Sequence, residues 1–140
     1  MGTLGNPKST LEIINKYEFA FQKKFGQNFL IDSNIVEKIV RDAGVTKDDF
    51  VLEIGPGIGT MTQYLCESAR EVVAVEIDTK LIPILKDTLG AYNNVSVINE
   101  DILKVDNDYI MKSSSFNLKF ALKDNRYSIE FIDNKTNNVM

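Results

Sequence analysis

Val51-Leu52-Glu53-Ile54 runs straight into Gly55-Pro56-Gly57-Ile58-Gly59, and a helical pattern starts at once after Thr60. A short apolar strand that turns sharply into a helix leaves unpaired N–H groups at the helix start. Glycines spaced by one residue supply the backbone angles of such a turn and let a ligand approach the chain closely. This stretch predicts a nucleotide-type pocket at the end of a parallel strand.

The flanking pattern agrees. Phe50–Ile54, Glu71–Glu76 and Val95–Ile98 read as strands, each mostly apolar, as expected for interior parallel strands. Between them, Met61, Tyr64, Leu65 and Cys66 or Ala69 mark one helix. Leu81, Ile82, Leu85 and Leu89 mark the buried face of another, started by Asp78 or Thr79 and stopped by Gly90. Strand–helix–strand–helix–strand with crossovers of this length predicts half of a doubly wound α/β sheet. Upstream, Ser9-x-x-Glu12 has capping-box spacing ahead of a short amphipathic helix. Residues 1–8 are expected to be a flexible N-terminus. Phe19 to Phe29 reads as a loop packed by its own phenylalanines. Asp32 or Ser33 caps a helix whose stripe is Ile35, Val36, Ile39 and Val40. Beyond Ser113–Ser115, Phe116, Leu118, Phe120 and Leu122 alternate, then a polar turn, then Tyr127, Ile129 and Phe131. That is the pattern of a β-hairpin. It is expected to pair with the parallel sheet.

Composition excludes several chemistries. The chain has no histidine and a single cysteine, Cys66. No His/Cys metal site and no intrachain disulfide is expected, and Cys66 reads as a core residue. No apolar run is long enough for a membrane helix, so a cytoplasmic protein is expected. Over residues 31–108 there are fifteen acidic against seven basic residues, while both flanks are net positive. A polyanion would meet the ends more readily than the middle.

Three acids fall at the carboxyl ends of the three strands: Glu53, Glu76 and Asp101. Acids around a glycine loop disfavour a polyphosphate and suit a cationic ligand. Thr60 also stands where a dinucleotide fingerprint places its third glycine, which disfavours a nicotinamide-dependent oxidoreductase. S-adenosylmethionine, with a sulfonium, an amino group, a ribose and an adenine but no phosphate, fits this pattern. Glu76 is then the ribose-binding acid.

Phe25-Gly26-Gln27-Asn28-Phe29-Leu30, Glu53-Ile54-Gly55-Pro56-Gly57-x-Gly59, Glu76-Ile77-Asp78 and Glu100-Asp101-Ile102-Leu103 resemble, in order and spacing, the small-subunit ribosomal RNA adenine N6-dimethyltransferases of the KsgA type. The resemblance covers about residues 9–106. It implies a class I S-adenosylmethionine-dependent methyltransferase (Rossmann-like) fold, here truncated and followed by a divergent hairpin tail over 107–140. It implies methyl transfer to two adjacent adenosines of small-subunit rRNA in a pre-30S particle. Asn28 and Leu30 would line the cofactor, Gly55 its methionine part, Glu76 its ribose hydroxyls and Asp101 its adenine amino group. Gly57 and Glu53 would shape the loop. The erythromycin-resistance rRNA methyltransferases are a related alternative.

One part of the family's pattern is missing. The Asn-Leu-Pro-Tyr motif that holds the target amine does not occur; Asn117-Leu118-Lys119-Phe120 is the nearest string and lies in an alternating, strand-like segment. No catalytic residue is therefore assigned, and a non-catalytic S-adenosylmethionine-binding fragment stands beside the enzyme reading. The tail after Asp106 leaves an unrelated fusion, a frameshifted end or a fragment as readings. A half-sheet also exposes an edge open to self-association.

Overall fold

The structure is a computed structural model that describes residues 4–17, 32–104, 109–112, 115–124 and 126–140. The expected Phe19–Phe29 loop lies outside the described residues. The chain divides into two compact units, Met1–Asn99 and Glu100–Met140.

The first unit contains α1 (Pro7–Lys16), α2 (Ser33–Asp42), β1 (Phe50–Ile54), α3 (Thr60–Ser68), β2 (Glu71–Glu76), α4 (Ile82–Thr88) and β3 (Val95–Asn99). The strands form one parallel sheet in the order β1-β2-β3, as the strand–helix alternation predicts. β2 is central and buried along its whole length, which explains its unbroken run Val72-Val73-Ala74-Val75. Register pairs Glu53 with Ala74 and Val75 with Ile54.

Two apolar clusters hold the helices on. Val40, Leu65, Cys66, Ala69 and Val72 join α2 and α3 to the sheet. Leu4, Ile13, Ile58, Leu81 and Ile84 join α1, the glycine loop and the start of α4. Cys66 is buried in the first cluster, and burial pushes its thiol up to about 12.

Three local expectations are corrected. Residues 4–8 are not a loose terminus: Leu4 is fully buried and its N–H donates to Gln63 Oε1 at 3.0 Å. Apolar burial and a satisfied amide outweigh the Gly/Pro punctuation. Helix α1 is capped by Asn6, whose side chain accepts from the Lys8 N–H, rather than by Ser9; Pro7, which has no N–H to satisfy, takes the first turn. On α2, Asp32 caps as expected, accepting from Asn34 and Ile35. However, only Val36 and Val40 are buried, while Ile35 and Ile39 are exposed. The core takes a narrower stripe of this helix than its apolar residues mark.

The second unit is a three-stranded antiparallel sheet, β4 (Tyr109–Lys112), β5 (Phe116–Lys123) and β6 (Arg126–Asp133). The expected hairpin is β5–β6, registered from Phe116 opposite Asp133 to Lys123 opposite Arg126. Asp124, at the turn, has φ +52°, the left-handed geometry that tight hairpin turns demand. β4 carries no clear alternation and was not foreseen. Among the described residues the hairpin's own sheet is β4-β5-β6, with β4 and β6 on the two sides of β5. Phe116, Leu118 and Phe120 are all buried, and Phe116 meets the Phe131 ring with centroids 5.3 Å apart.

Candidate functional site

The β1 ladder continues one residue past Ile54, the Gly55 N–H donating to Val75 O at 2.9 Å. The backbone then turns through three positive φ angles, +74° at Gly55, +61° at Gly57 and +96° at Gly59. The two outer glycines serve different ends. A Cβ on Gly59 would lie 2.9 Å from Thr88 Oγ1 and 3.3 Å from methyls of Leu85 and Leu89, so this glycine lets α4 approach the loop. A Cβ on Gly55 would meet no described atom within 4 Å. Open space at the carboxyl end of β1, next to a backbone that needs glycine, is the cradle a ligand would fill.

The loop is held from several sides. Ile58 is buried, its carbonyl accepts from Thr88 Oγ1 at 2.8 Å, and Gln63 Nε2 donates to Thr88 O at 2.8 Å. These side chains fix the loop against α4, and the same Gln63 receives the Leu4 amide. Thr88 and Gln63 lie on helices at sites where the sequence carries no distinguishing signal.

Glu76 ends β2 beside this loop. One carboxylate oxygen accepts from the Gly57 N–H at 3.2 Å, the other from the Asp78 N–H at 3.1 Å. Burial raises its pKa, and these two amide donors oppose the rise. A carboxylate oriented by two fixed amides still has lone pairs free for hydroxyl donors. Asp78 in turn caps the single-turn helix Thr79–Leu81 by accepting from the Lys80 N–H. Asn99, at the end of β3, donates from Nδ2 to the Glu76 carbonyl at 2.9 Å and accepts from Thr79 Oγ1 at 3.2 Å. It clips the turn that presents Glu76; sequence reading missed it.

Glu53 sits on β1 one residue before Ile54. Its side chain accepts from the Thr62 hydroxyl on α3. Burial, with the Glu76 charge adding to it, pushes its pKa up to about 7 despite that bond. Thus Gly55, Gly57, Glu76 and Glu53 are gathered around one loop. Asp101 lies in the second unit, where its carboxylate accepts from the Leu103 N–H at 2.9 Å and caps a short helical turn. Asn28 and Leu30 lie outside the described residues. Asn117-Leu118-Lys119-Phe120 is interior to β5, with Leu118 and Phe120 buried. Among the described residues no group of three or more His, Cys, Asp or Glu side chains is placed to hold a metal, and no helix is long and apolar enough to cross a membrane.

A parallel sheet with a glycine loop and a strand-end acid defines a Rossmann-like nucleotide-cofactor fold. The comparisons with known proteins narrow it. The model of the family described as "Ribosomal RNA adenine dimethylase" matches residues 18–135. The chain is 69% identical over 116 residues to "Ribosomal RNA small subunit methyltransferase A" of Lachnoclostridium phytofermentans, covering 82% of this chain and 40% of that protein. It is 49% identical over 120 residues to the protein of the same name from Listeria welshimeri, covering 86% and 41%. Among solved structures, the 23S rRNA methyltransferase ErmE superimposes with a TM-score of 0.53 at 38% identity, covering 57% of this chain and 33% of that one. The chain belongs to the ribosomal RNA adenine dimethylase family. It spans about two fifths of the length of the curated relatives it matches.

Proposed function

We propose that this chain holds S-adenosylmethionine at the Gly55–Gly59 loop and serves N6-dimethylation of adenosines in small-subunit rRNA, within the cytoplasm. The observation that carries this reading is the Glu76 carboxylate, aimed by the Gly57 and Asp78 amides beside the open space at Gly55. That pair suits a ligand whose ribose hydroxyls donate to Glu76 and whose methionine part lies along Gly55. The acidic surroundings suit a cation and not a polyphosphate. When bound, the cofactor supplies a methyl group activated by a sulfonium. The chain's residues bind and orient it: Gly55 by close approach, Glu76 by its hydroxyl contacts, and, by resemblance to the family, Asn28 and Leu30 as residues that line it and Asp101 at its adenine amino group.

In this reading residues 9–106 are the cofactor-binding part and 107–140 the divergent tail, with pre-ribosomal small subunits as the partner. The high identity to proteins named for the small subunit favours that substrate over the 23S rRNA named for ErmE. A second reading, a cofactor-binding chain without transfer, is favoured by one observation: the family's Asn-Leu-Pro-Tyr string is missing, and its nearest counterpart is interior to β5. Calorimetry with S-adenosylmethionine, run beside a methylation assay on undermethylated small subunits, separates the two. Binding with transfer supports the enzyme, binding without transfer supports the second reading, and a folded chain that binds nothing overturns both.

A further inference from the structure

We infer that Asn99 is a positioning residue: its side-chain amide sets the direction of the Glu76 carboxylate, and so the preference of this site for a ligand that carries free ribose hydroxyls. The inference rests on the cofactor reading above. Register places Asn99, the last residue of β3, opposite Glu76, the last residue of β2. The chain leaves the sheet here, and the turn through Ile77 and Asp78 has to be held by other means. Asn99 supplies them. Its Nδ2 donates to the Glu76 carbonyl at 2.9 Å and to the Ile77 carbonyl at 3.5 Å. Its Oδ1 accepts from the Thr79 hydroxyl at 3.2 Å. An amide side chain carries the same kinds of donor and acceptor as a peptide unit, so Asn99 adds one more rung where the backbone ladder stops.

The rung reaches the carboxylate through one peptide plane. The Ile77 carbonyl and the Asp78 N–H belong to the same rigid unit, so the orientation of one fixes that of the other. That N–H donates to Glu76 Oε1 at 3.1 Å, while the Gly57 N–H donates to Oε2 at 3.2 Å. The shorter bond from Asn99 holds the preceding peptide, between Glu76 and Ile77. Glu76 is therefore aimed from two sides, by the glycine loop and by a turn that Asn99 clips.

Asn99 is exposed, so water satisfies the two carbonyls once its side chain is removed, and the fold should lose little. Ligand binding should lose more. A carboxylate free to turn must be ordered at the moment of binding, which weakens the contacts made to it. In the cofactor reading those contacts come from the ribose hydroxyls. A ligand without hydroxyls makes no use of the direction of Glu76 and should be indifferent to Asn99.

The test is calorimetry on the full chain with S-adenosylhomocysteine and with an analogue of it that lacks both ribose hydroxyls. The chains compared are the native one, Asn99→Ala and Asn99→Asp, each also followed by thermal unfolding. The native chain is expected to prefer the ligand with hydroxyls. In Asn99→Ala the affinity for that ligand should fall about tenfold, the lower end for one hydrogen bond to a charged group. Affinity for the analogue and the melting temperature should both hold. Asn99→Asp keeps the acceptor for Thr79 and removes both N–H donors. It should show the same selective loss, and it decides the matter if Asn99→Ala does not fold. Equal losses for the two ligands, or no loss for either, overturn the inference, while the native preference for hydroxyls leaves the cofactor reading intact. A native chain that binds neither ligand, or binds both equally, overturns the cofactor reading at Glu76 and the inference with it.

Discussion

Gly55 and Gly59 look alike in sequence, yet their surroundings differ. Gly59→Ala places a methyl 2.9 Å from Thr88 Oγ1 at φ +96°. Strain and crowding together should cost about 2–3 kcal/mol, read from urea unfolding. Gly55→Ala meets no described atom, so its cost should be near the 1–2 kcal/mol of the left-handed backbone alone, while the methyl intrudes where the cofactor is proposed to lie. The expected outcome is a folded Gly55→Ala chain with lost cofactor affinity, and a Gly59→Ala chain whose loss is first one of stability. Glu53 has a stability signature as well. Its folded pKa, about 7, lies above the ordinary carboxylate value of 4.5. The folded state therefore binds the proton more tightly, and stability is highest below the unfolded pKa and falls as pH rises from about 4.5 to 7. Glu53→Gln should remove that part of the fall, gaining up to about 3 kcal/mol over the native chain at pH 8. Unfolding curves at pH 5 and 8 check this; equal pH responses in both chains would contradict it.

Helix α1 shows how one side chain secures an element. Asp87, on α4, accepts from Lys16 Nζ at 2.5 Å and from the Tyr17 hydroxyl at 2.6 Å, at the last turn of α1. Those two donors hold the Asp87 carboxyl below its usual pKa. The exposed ion pair by itself contributes little; its role is to fix where α1 ends, directly ahead of the segment that carries Asn28 and Leu30. Asp87→Asn should therefore speed hydrogen exchange of the α1 amides while leaving those of β2 protected. Acidification through the depressed Asp87 pKa should do the same to the native chain, because the anchor needs the ionised form. In the second unit, β5 depends on its inward side chains. Phe120 is fully buried, so Phe120→Ala should cost that sheet about 3–5 kcal/mol. Exchange of the β5–β6 amides would show it.

For the molecule as a whole, the strand–helix alternation, the glycine spacing and the strand-end acids were legible because each is a local pattern with one good structural solution. A central parallel strand must be apolar on both faces, as Val72–Val75 is, and a turn with three left-handed residues must use glycine. The period-two alternation of β5 and β6 was legible for the same reason. Other features depend on partners distant in sequence. The burial of Leu4 is decided by Gln63 and the cluster around Ile58. The narrow buried stripe of α2 is decided by which of its side chains meet α3. The division of the tail into its own sheet is decided by β4, four residues whose sequence carries no periodic signal. At the proposed site the sequence by itself named Gly55 and Glu76. That Gly59 exists for packing, that Thr62 and Asn99 hold the acids in place, and that Glu53 stands as a half-buried acid near Glu76 could come only from the folded chain. Hydrogen bonds and desolvation act between groups brought together in space, and no local pattern records them.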